Sequence, residues 1–275
     1  MQPDPFHRPP AREPVFNLPP VIIVIAGALL LIHLLVSNLD QRSAVEVVFT
    51  WGFVPGAWTV WRDPGAADAI LREILASGDV RARVSAQFAL IEAPSSAWSV
   101  LTYALLHGSW SHVLLNCVWL AAFGTPIARR LGTARFLALC LATATGGPLA
   151  HWLFHSGDFT PMVGASAVVS GMMGAAAWFV FARSASGALV DPHAHLRPRE
   201  TLQQMLRNRR TLIFFGIWFA LNFLFGVGAA PLGISDGGVA WEAHIGGFLV
   251  GLALFPRLDP LPPPAPPPVY LREDA

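Results

Sequence analysis

The chain has 275 residues, of which 54% are hydrophobic and only 13% charged, and its formal net charge is +1 at pH 7. About a quarter of the residues of an ordinary soluble domain are charged, so this composition excludes that class and predicts a polytopic all-α membrane protein. The two cysteines, Cys117 and Cys140, both lie in apolar stretches, and they indicate no disulfide framework.

The N-terminal third of the chain alternates polar and apolar segments. Residues 1–20 are proline-rich and polar, and we expect a disordered tail there rather than a cleavable signal. An apolar run over 21–36 is the first predicted span. The connection over 37–108 is too long for a simple loop and too polar to cross a bilayer, so it should hold structure of its own. Its tryptophans and an amphipathic pattern over 66–75 predict an anchor at the membrane surface.

Five further apolar stretches complete a predicted bundle of six transmembrane helices. They cover 109 to about 126, 136–154, 164–182, 212–229 and 240–255. The membrane domain should therefore occupy residues 21–256. A polyproline-type tail follows over 257–275, and we expect it to be solvated.

Arginine placement predicts the orientation of these spans. Short loops rich in positive charge remain in the cytoplasm. Arg129, Arg130 and Arg135 follow span two, and Arg197, Arg199, Arg207, Arg209 and Arg210 follow span four. Both termini should therefore be cytoplasmic, and spans two, four and six should run inward from the outer face.

A serine and a histidine lie at the outer ends of two of these spans. Gly164-Ala165-Ser166 opens span four, and His244 lies about one turn into span six. Serine becomes a useful nucleophile when a positioned base removes its proton. Small residues recur at every fourth position in both spans, which allows two backbones to approach closely in lipid. The pattern predicts that His244 reaches the Ser166 hydroxyl.

Span two carries polar residues at the same depth. His112 and Asn116 are four residues apart and therefore share one helix face. Polar groups in a bilayer usually face a bundle interior or a water-filled cavity. Taken alone, the pair is explained at least as well by hydrogen bonds between helices.

Together these motifs resemble the rhomboid family of intramembrane serine proteases. The resemblance rests on Gly164-Ala165-Ser166, on Ala243-His244 followed by glycines, and on the spacing of His107, His112 and Asn116. It implies a six-span bundle with a large first external loop, a Ser166–His244 dyad, and an oxyanion bound by His112 and Asn116. His107 and Gly164 would support the site.

The sequence departs from the family pattern at three positions. Ala167 stands where the family usually has glycine, Ser170 where many members have an aromatic residue on the catalytic histidine, and Ser99 where an arginine usually follows tryptophan. Two other classes therefore stay open: an inactive rhomboid-like protein that binds membrane clients, and a small transporter or channel. The polar groups stop at one shallow level, which disfavours a transport path.

The remaining expectations concern ligands, partners and subcellular location. His151 and His155 are four residues apart, but two ligands do not make a metal site, and we predict neither a metal nor a cofactor. The expected partners are transmembrane substrate proteins and the lipid bilayer, with no nucleic acid; the oligomeric state is open. The expected location is the bacterial inner membrane, with the active site facing the periplasm.

Overall fold

The computed structural model describes residues 17–92, 97–182, 194–227 and 240–261. Most of both predicted tails therefore lies outside the described residues. Within the described ranges the chain is helical and forms no strand, although one isolated antiparallel bridge joins Phe53 to Met162. The helices are α1 (Pro20–Ser37), α2 (Gln41–Trp51), α3 (Pro55–Arg62), α4 (Ala67–Ser77), α5 (Val80–Gln87), α6 (Ser99–Thr102), α7 (Trp110–Trp119), α8 (Thr125–His155), α9 (Ser166–Ala176), α10 (Leu202–Arg207), α11 (Arg209–Val227) and α12 (Trp241–Leu258).

Among the residues that the structure describes, two helical stretches are long and apolar enough to cross a membrane: α1, and the continuous run Trp110–His155 that contains α7 and α8. A shorter apolar helix, α9, packs against both α8 and α12. Large apolar side chains on α1, such as Val24 and Leu35, are more than half exposed. Such side chains suit a lipid-facing surface. The chain is an all-α membrane protein.

The run from α7 to α8 differs from the prediction that span two closes near Pro126. A π-turn over Leu120–Gly124 leads directly into α8, and Pro126 lies in the first turn of that helix. Proline is tolerated there because the first-turn N–H groups have no partner within the helix. The backbone instead breaks at Gly132, whose φ of 72° is readily adopted only by glycine.

Helix α9 packs backbone to backbone against α12. A side chain at Gly247 would collide with the carbonyl of Ala167, and one at Gly251 would collide with the carbonyl of Gly171. Glycine at these positions permits the closest approach of two helices in lipid. The small-residue stripes in the sequence predicted this contact between spans four and six.

The connection over 37–108 forms a small core, as its length suggested, and Phe159 from beyond α8 completes that core. Phe49, Ile74 and Phe159 are buried together with residues of α3 and α5. Helix α4 covers the amphipathic stretch expected over 66–75. The indole N–H of Trp152 in α8 donates to the Thr59 hydroxyl in α3, 2.7 Å away, which ties this segment to the membrane helices.

A buried ion pair closes the other end of α12. The guanidinium of Arg130 in α8 donates to both carboxylate oxygens of Asp259, at 2.9 and 2.8 Å, and both side chains are at most 1% exposed. The same guanidinium lies over the ring of Phe179, 4.5 Å from its centroid. Arg130, expected as a loop charge, is thus part of the packed interior.

Candidate active site

Ser166 is the first residue of α9 and follows a tightly held turn. Gly164 has a φ of 124°, which only glycine adopts without strain, and its N–H donates to the carbonyl of Tyr103 at 3.0 Å. The N–H of Ala165 donates to Nε2 of His107 at 3.4 Å. The turn therefore presents the Ser166 hydroxyl beside the free N–H groups of the first helical turn.

His244 lies in the first turn of α12 and contacts the Ser166 hydroxyl. The separation between its Nε2 and the Ser166 Oγ is 2.7 Å, a hydrogen-bond distance. The backbone contact between Gly247 and Ala167, one turn deeper, sets this separation. Two residues 78 positions apart in sequence are thus brought within reach of proton transfer.

The sequence did not indicate which residue orients the His244 ring. In the structure, Asn222 of α11 contacts that ring. The Asn222 Oδ1 lies 2.6 Å from His244 Nδ1, and the Asn222 Nδ2 donates to the Trp218 carbonyl at 2.8 Å. Because Nδ2 is used in this way, the amide oxygen faces the imidazole. An amide oxygen only accepts, so Nδ1 carries the proton and Nε2 is free to accept one from Ser166.

His112 and Asn116 lie in α7, and the His112 ring faces the turn that carries Gly164. A side chain at Gly164 would be 2.7 Å from the His112 ring, so glycine also makes space for that ring. Asn116 is buried, and its Nδ2 donates to the His112 carbonyl at 3.1 Å. The rings of His107 and His112 meet edge to face, with centroids 5.0 Å apart. The structure therefore brings His107, Gly164 and His112 together next to Ser166, and it places Asn116 one turn from His112 along α7.

The departures at Ala167 and Ser170 both have buried surroundings. Ala167 is fully buried, and its methyl group occupies space that a side chain at Gly147 would need. Gly147 in α8 thus accommodates the additional methyl group. Ser170 is buried one turn below Ser166. Ser99 is also buried, at the start of α6.

A further histidine in the membrane helices, His33, approaches this group from α1. His33 is 6% exposed, and its ring packs edge to face on Trp110 at 4.7 Å. Both of its ring nitrogens are buried without a hydrogen-bond partner among the described residues. A histidine inside an apolar run marks His33 in the sequence as unusual, but the sequence does not indicate which residues the His33 ring contacts.

The site as a whole has the parts that acyl transfer requires. It has a hydroxyl, a base oriented by a third side chain, and N–H groups at the positive end of a helix. Asn116 and His112, whose side chains can also donate, lie one turn apart in α7, with the His112 ring next to Gly164. Such donors stabilise the negative oxygen of a tetrahedral intermediate.

The fold and the site define the class of this protein. It is a helical membrane protein with a serine–histidine pair at the ends of two glycine-packed helices. Comparison with known families then identifies the chain as a member of the rhomboid family, because the Rhomboid domain model matches residues 94–258. The resemblance drawn from the sequence motifs is confirmed.

Similar proteins carry the same family name. The chain is 29% identical over 157 residues to the rhomboid protease GlpG of Pectobacterium atrosepticum. The aligned region covers 57% of this chain and 47% of that protein. It is 27% identical, also over 157 residues, to the rhomboid protease GlpG of Yersinia pestis, with 57% of this chain and 46% of the relative covered. The chain thus spans about half the length of the curated relatives it matches.

Proposed function

We propose that this chain is an intramembrane serine endopeptidase that cleaves membrane-spanning proteins. The observation that carries the proposal is the 2.7 Å contact between Ser166 Oγ and His244 Nε2. The hydrogen bond from His244 Nδ1 to Asn222 supports the tautomer that a general base needs. The names of the similar proteins support the same activity.

In the proposed reaction, His244 removes the proton of the Ser166 hydroxyl as its oxygen attacks a peptide carbonyl. The imidazolium then gives that proton to the departing amine, which leaves an acyl ester on Ser166. Water repeats the sequence, with His244 again as the base, and releases the new carboxyl end. Asn222 holds the imidazole in one orientation throughout and stabilises the charged form through its amide oxygen.

The negative oxygen of each tetrahedral intermediate would lie between α7 and the start of α9. Asn116, His112 and the N–H of Ser166 are the proposed donors. Loss of one such donor typically costs about 3 kcal/mol of transition-state stabilisation. In the described structure the Asn116 amide is held by the His112 carbonyl, 3.1 Å away. We propose that this bond keeps the amide in position for the oxyanion.

The proposed topology follows the arginine distribution. The membrane domain would comprise residues 21–256 with six spans, both termini in the cytoplasm, and the connection over 37–108 as a large external loop. Ser166, His112 and His244 would then lie at a similar shallow depth below the periplasmic face of a bacterial inner membrane. At that depth water can reach the acyl ester without a deep channel.

Cleavage of a single-span reporter protein by the purified full chain tests the proposal. The parent should produce two fragments, and Ser166→Ala and His244→Ala should produce none while unfolding at the temperature of the parent. Equal cleavage by all three would reveal a contaminating protease. A folded parent that binds reporters but cuts none of them would instead support an inactive, client-binding member of the family.

A further inference from the structure

A second cluster of chemically active side chains lies between α8 and α12. The Glu242 carboxylate contacts both histidines of α8: Oε2 lies 3.2 Å from His151 Nδ1, and Oε1 lies 3.0 Å from His155 Nε2. The two imidazole rings are stacked, with centroids 4.4 Å apart. Glu242 is only two residues from His244, but it faces away from Ser166.

We propose that His151, His155 and Glu242 bind one divalent transition-metal ion of the Zn²⁺ class. One ligand atom from each residue lies within 4.8 Å of the other two. Zn²⁺ sits about 2.0–2.2 Å from nitrogen and oxygen ligands, so tetrahedral ligand atoms are about 3.3 Å apart. The two carboxylate oxygens lie 3.2 Å from His151 Nδ1 and 3.0 Å from His155 Nε2, one oxygen to each histidine, so a small rotation of the side chains brings one oxygen and both nitrogens to that spacing.

The chemistry of the ligand set also favours such an ion. Neutral imidazole and carboxylate suit Zn²⁺, whereas Ca²⁺ and Mg²⁺ prefer sites made of oxygen atoms. Two histidines and one glutamate leave the fourth tetrahedral position for water or another ligand. Sequence reasoning counted only two ligands, because Glu242 is 87 residues from His155 along the chain.

The cluster is preorganised and has an entrance. The side chains of His151 and Glu242 are only 11% and 10% exposed, so their neighbours hold them in place, whereas that of His155 is 38% exposed. An ion can therefore arrive from the side of His155, the last residue of α8. A preorganised set of ligands loses little conformational entropy when it binds.

An ion pair between Glu242 and a protonated histidine is the alternative reading of the same contacts. Metal binding differs from an ion pair in two ways. The ion needs both facing histidine nitrogens without protons, and it joins α8 to α12 through coordinate bonds. The bound ion would hold the first turn of α12, which also carries His244. Added Zn²⁺ should therefore raise the unfolding temperature of the parent, whereas an ion pair alone would not respond to it.

Titration of the metal-free full chain in detergent with Zn²⁺ tests the proposal without reference to activity. We expect one ion per chain, and visible absorption from Co²⁺ bound at the same site. His155→Ala and Glu242→Gln should each weaken Zn²⁺ binding by at least about tenfold, because even the loss of a residue that only hydrogen-bonds to a metal ligand can weaken binding by that factor. Glu46→Gln, which removes an exposed carboxylate of α2, should bind as the parent does.

Thermal unfolding without metal checks that each variant is folded, and His155→Gln provides a second, less drastic change at the most exposed ligand. Two results would overturn the proposal. One is the absence of saturable Zn²⁺ binding to the folded parent. The other is unchanged binding and unchanged stabilisation in the folded His155 and Glu242 variants, which would place the ion elsewhere on the chain.

Discussion

The Asn222 amide oxygen lies 2.6 Å from Nδ1 of His244, and the amide nitrogen is held by the Trp218 carbonyl at 2.8 Å. A neutral side chain in α11 thus occupies the position that an aspartate holds in serine proteases with a catalytic triad. An asparagine avoids the cost of a second buried charge within the membrane. It fixes the orientation of the imidazole ring.

Replacement of Asn222 by alanine should lower kcat by about 10- to 100-fold, because a hydrogen bond to a group that becomes charged contributes about 1.5–3 kcal/mol. KM should change little, since Asn222 contacts His244 and not the substrate in our proposal. Steady-state cleavage of a single-span reporter measures both constants.

The conservative change Asn222→Asp keeps an oxygen facing Nδ1 and should retain more activity than Asn222→Ala. Leu221→Ala is the matched control on the same helix, because that side chain is 47% exposed. If Asn222→Ala cleaves as fast as Leu221→Ala, the asparagine has no role in positioning the base.

Replacement of Asn116 by alanine should lower kcat by about 10²- to 10³-fold, the usual effect of removing one oxyanion donor. The Asn116 bond to the His112 carbonyl lies within one helix, so the fold should survive its loss. Reporter cleavage and thermal unfolding, measured together, separate the two effects. Leu115→Ala, at a 59% exposed position of the same helix, should leave kcat unchanged. Equal rates for the two variants would remove Asn116 from the oxyanion site.

The close contact of α9 with α12 makes a prediction about stability. Gly251→Val would drive a side chain into the Gly171 carbonyl, and overpacking of this kind costs about 1–3 kcal/mol or more. We expect a lower unfolding temperature together with loss of cleavage, because the same contact sets the distance from Ser166 to His244. Gly216→Val is the control, since no described atom lies within 4 Å of a Cβ built there. Equal stability of the two variants would show that the helices are not held this closely.

The ion pair between Arg130 and Asp259 makes a second prediction about stability. Asp259→Ala leaves the Arg130 charge buried, which should cost about 3–5 kcal/mol of the free energy of unfolding. The exposed pair of Arg42 and Glu92, 3.5 Å apart, provides the comparison: Glu92→Ala should cost about 0–1 kcal/mol. Denaturant unfolding in mixed micelles measures both. A loss at Asp259 no larger than that at Glu92 would mean that the pair is open to water.

Much of the fold could be predicted because the membrane limits what a sequence can do. Apolar stretches predicted α1 as 21–36 and α12 as 240–255, and the structure has Pro20–Ser37 and Trp241–Leu258. The small-residue stripes predicted the α9–α12 contact, since close backbones in lipid require small residues. The helix boundary near Pro126 was wrong, because proline in a first turn begins a helix as readily as it ends one.

For the candidate site, too, some residues could be predicted from the sequence and others could not. Ser166, His244, His112 and Asn116 could be proposed from the sequence because each belongs to a local motif. Asn222 and the cluster around Glu242 could not, because their partners depend on how α11 and α8 are rotated against α12. Helical periodicity assigns residues to faces of one helix but does not specify which neighbour each face meets. Arg130 was read as a loop charge for the same reason.

Labelling by a fluorophosphonate probe tests the central claim most directly, because the probe forms a bond between phosphorus and an activated serine oxygen and expels fluoride. We predict that the folded parent is labelled on Ser166, identified by mass spectrometry of its peptide. His244→Ala should be labelled at least about 100-fold more slowly, the usual contribution of a general base. Labelling of another serine, equal labelling of the folded His244→Ala protein, or no labelling of the folded parent would contradict a Ser166 hydroxyl activated by His244.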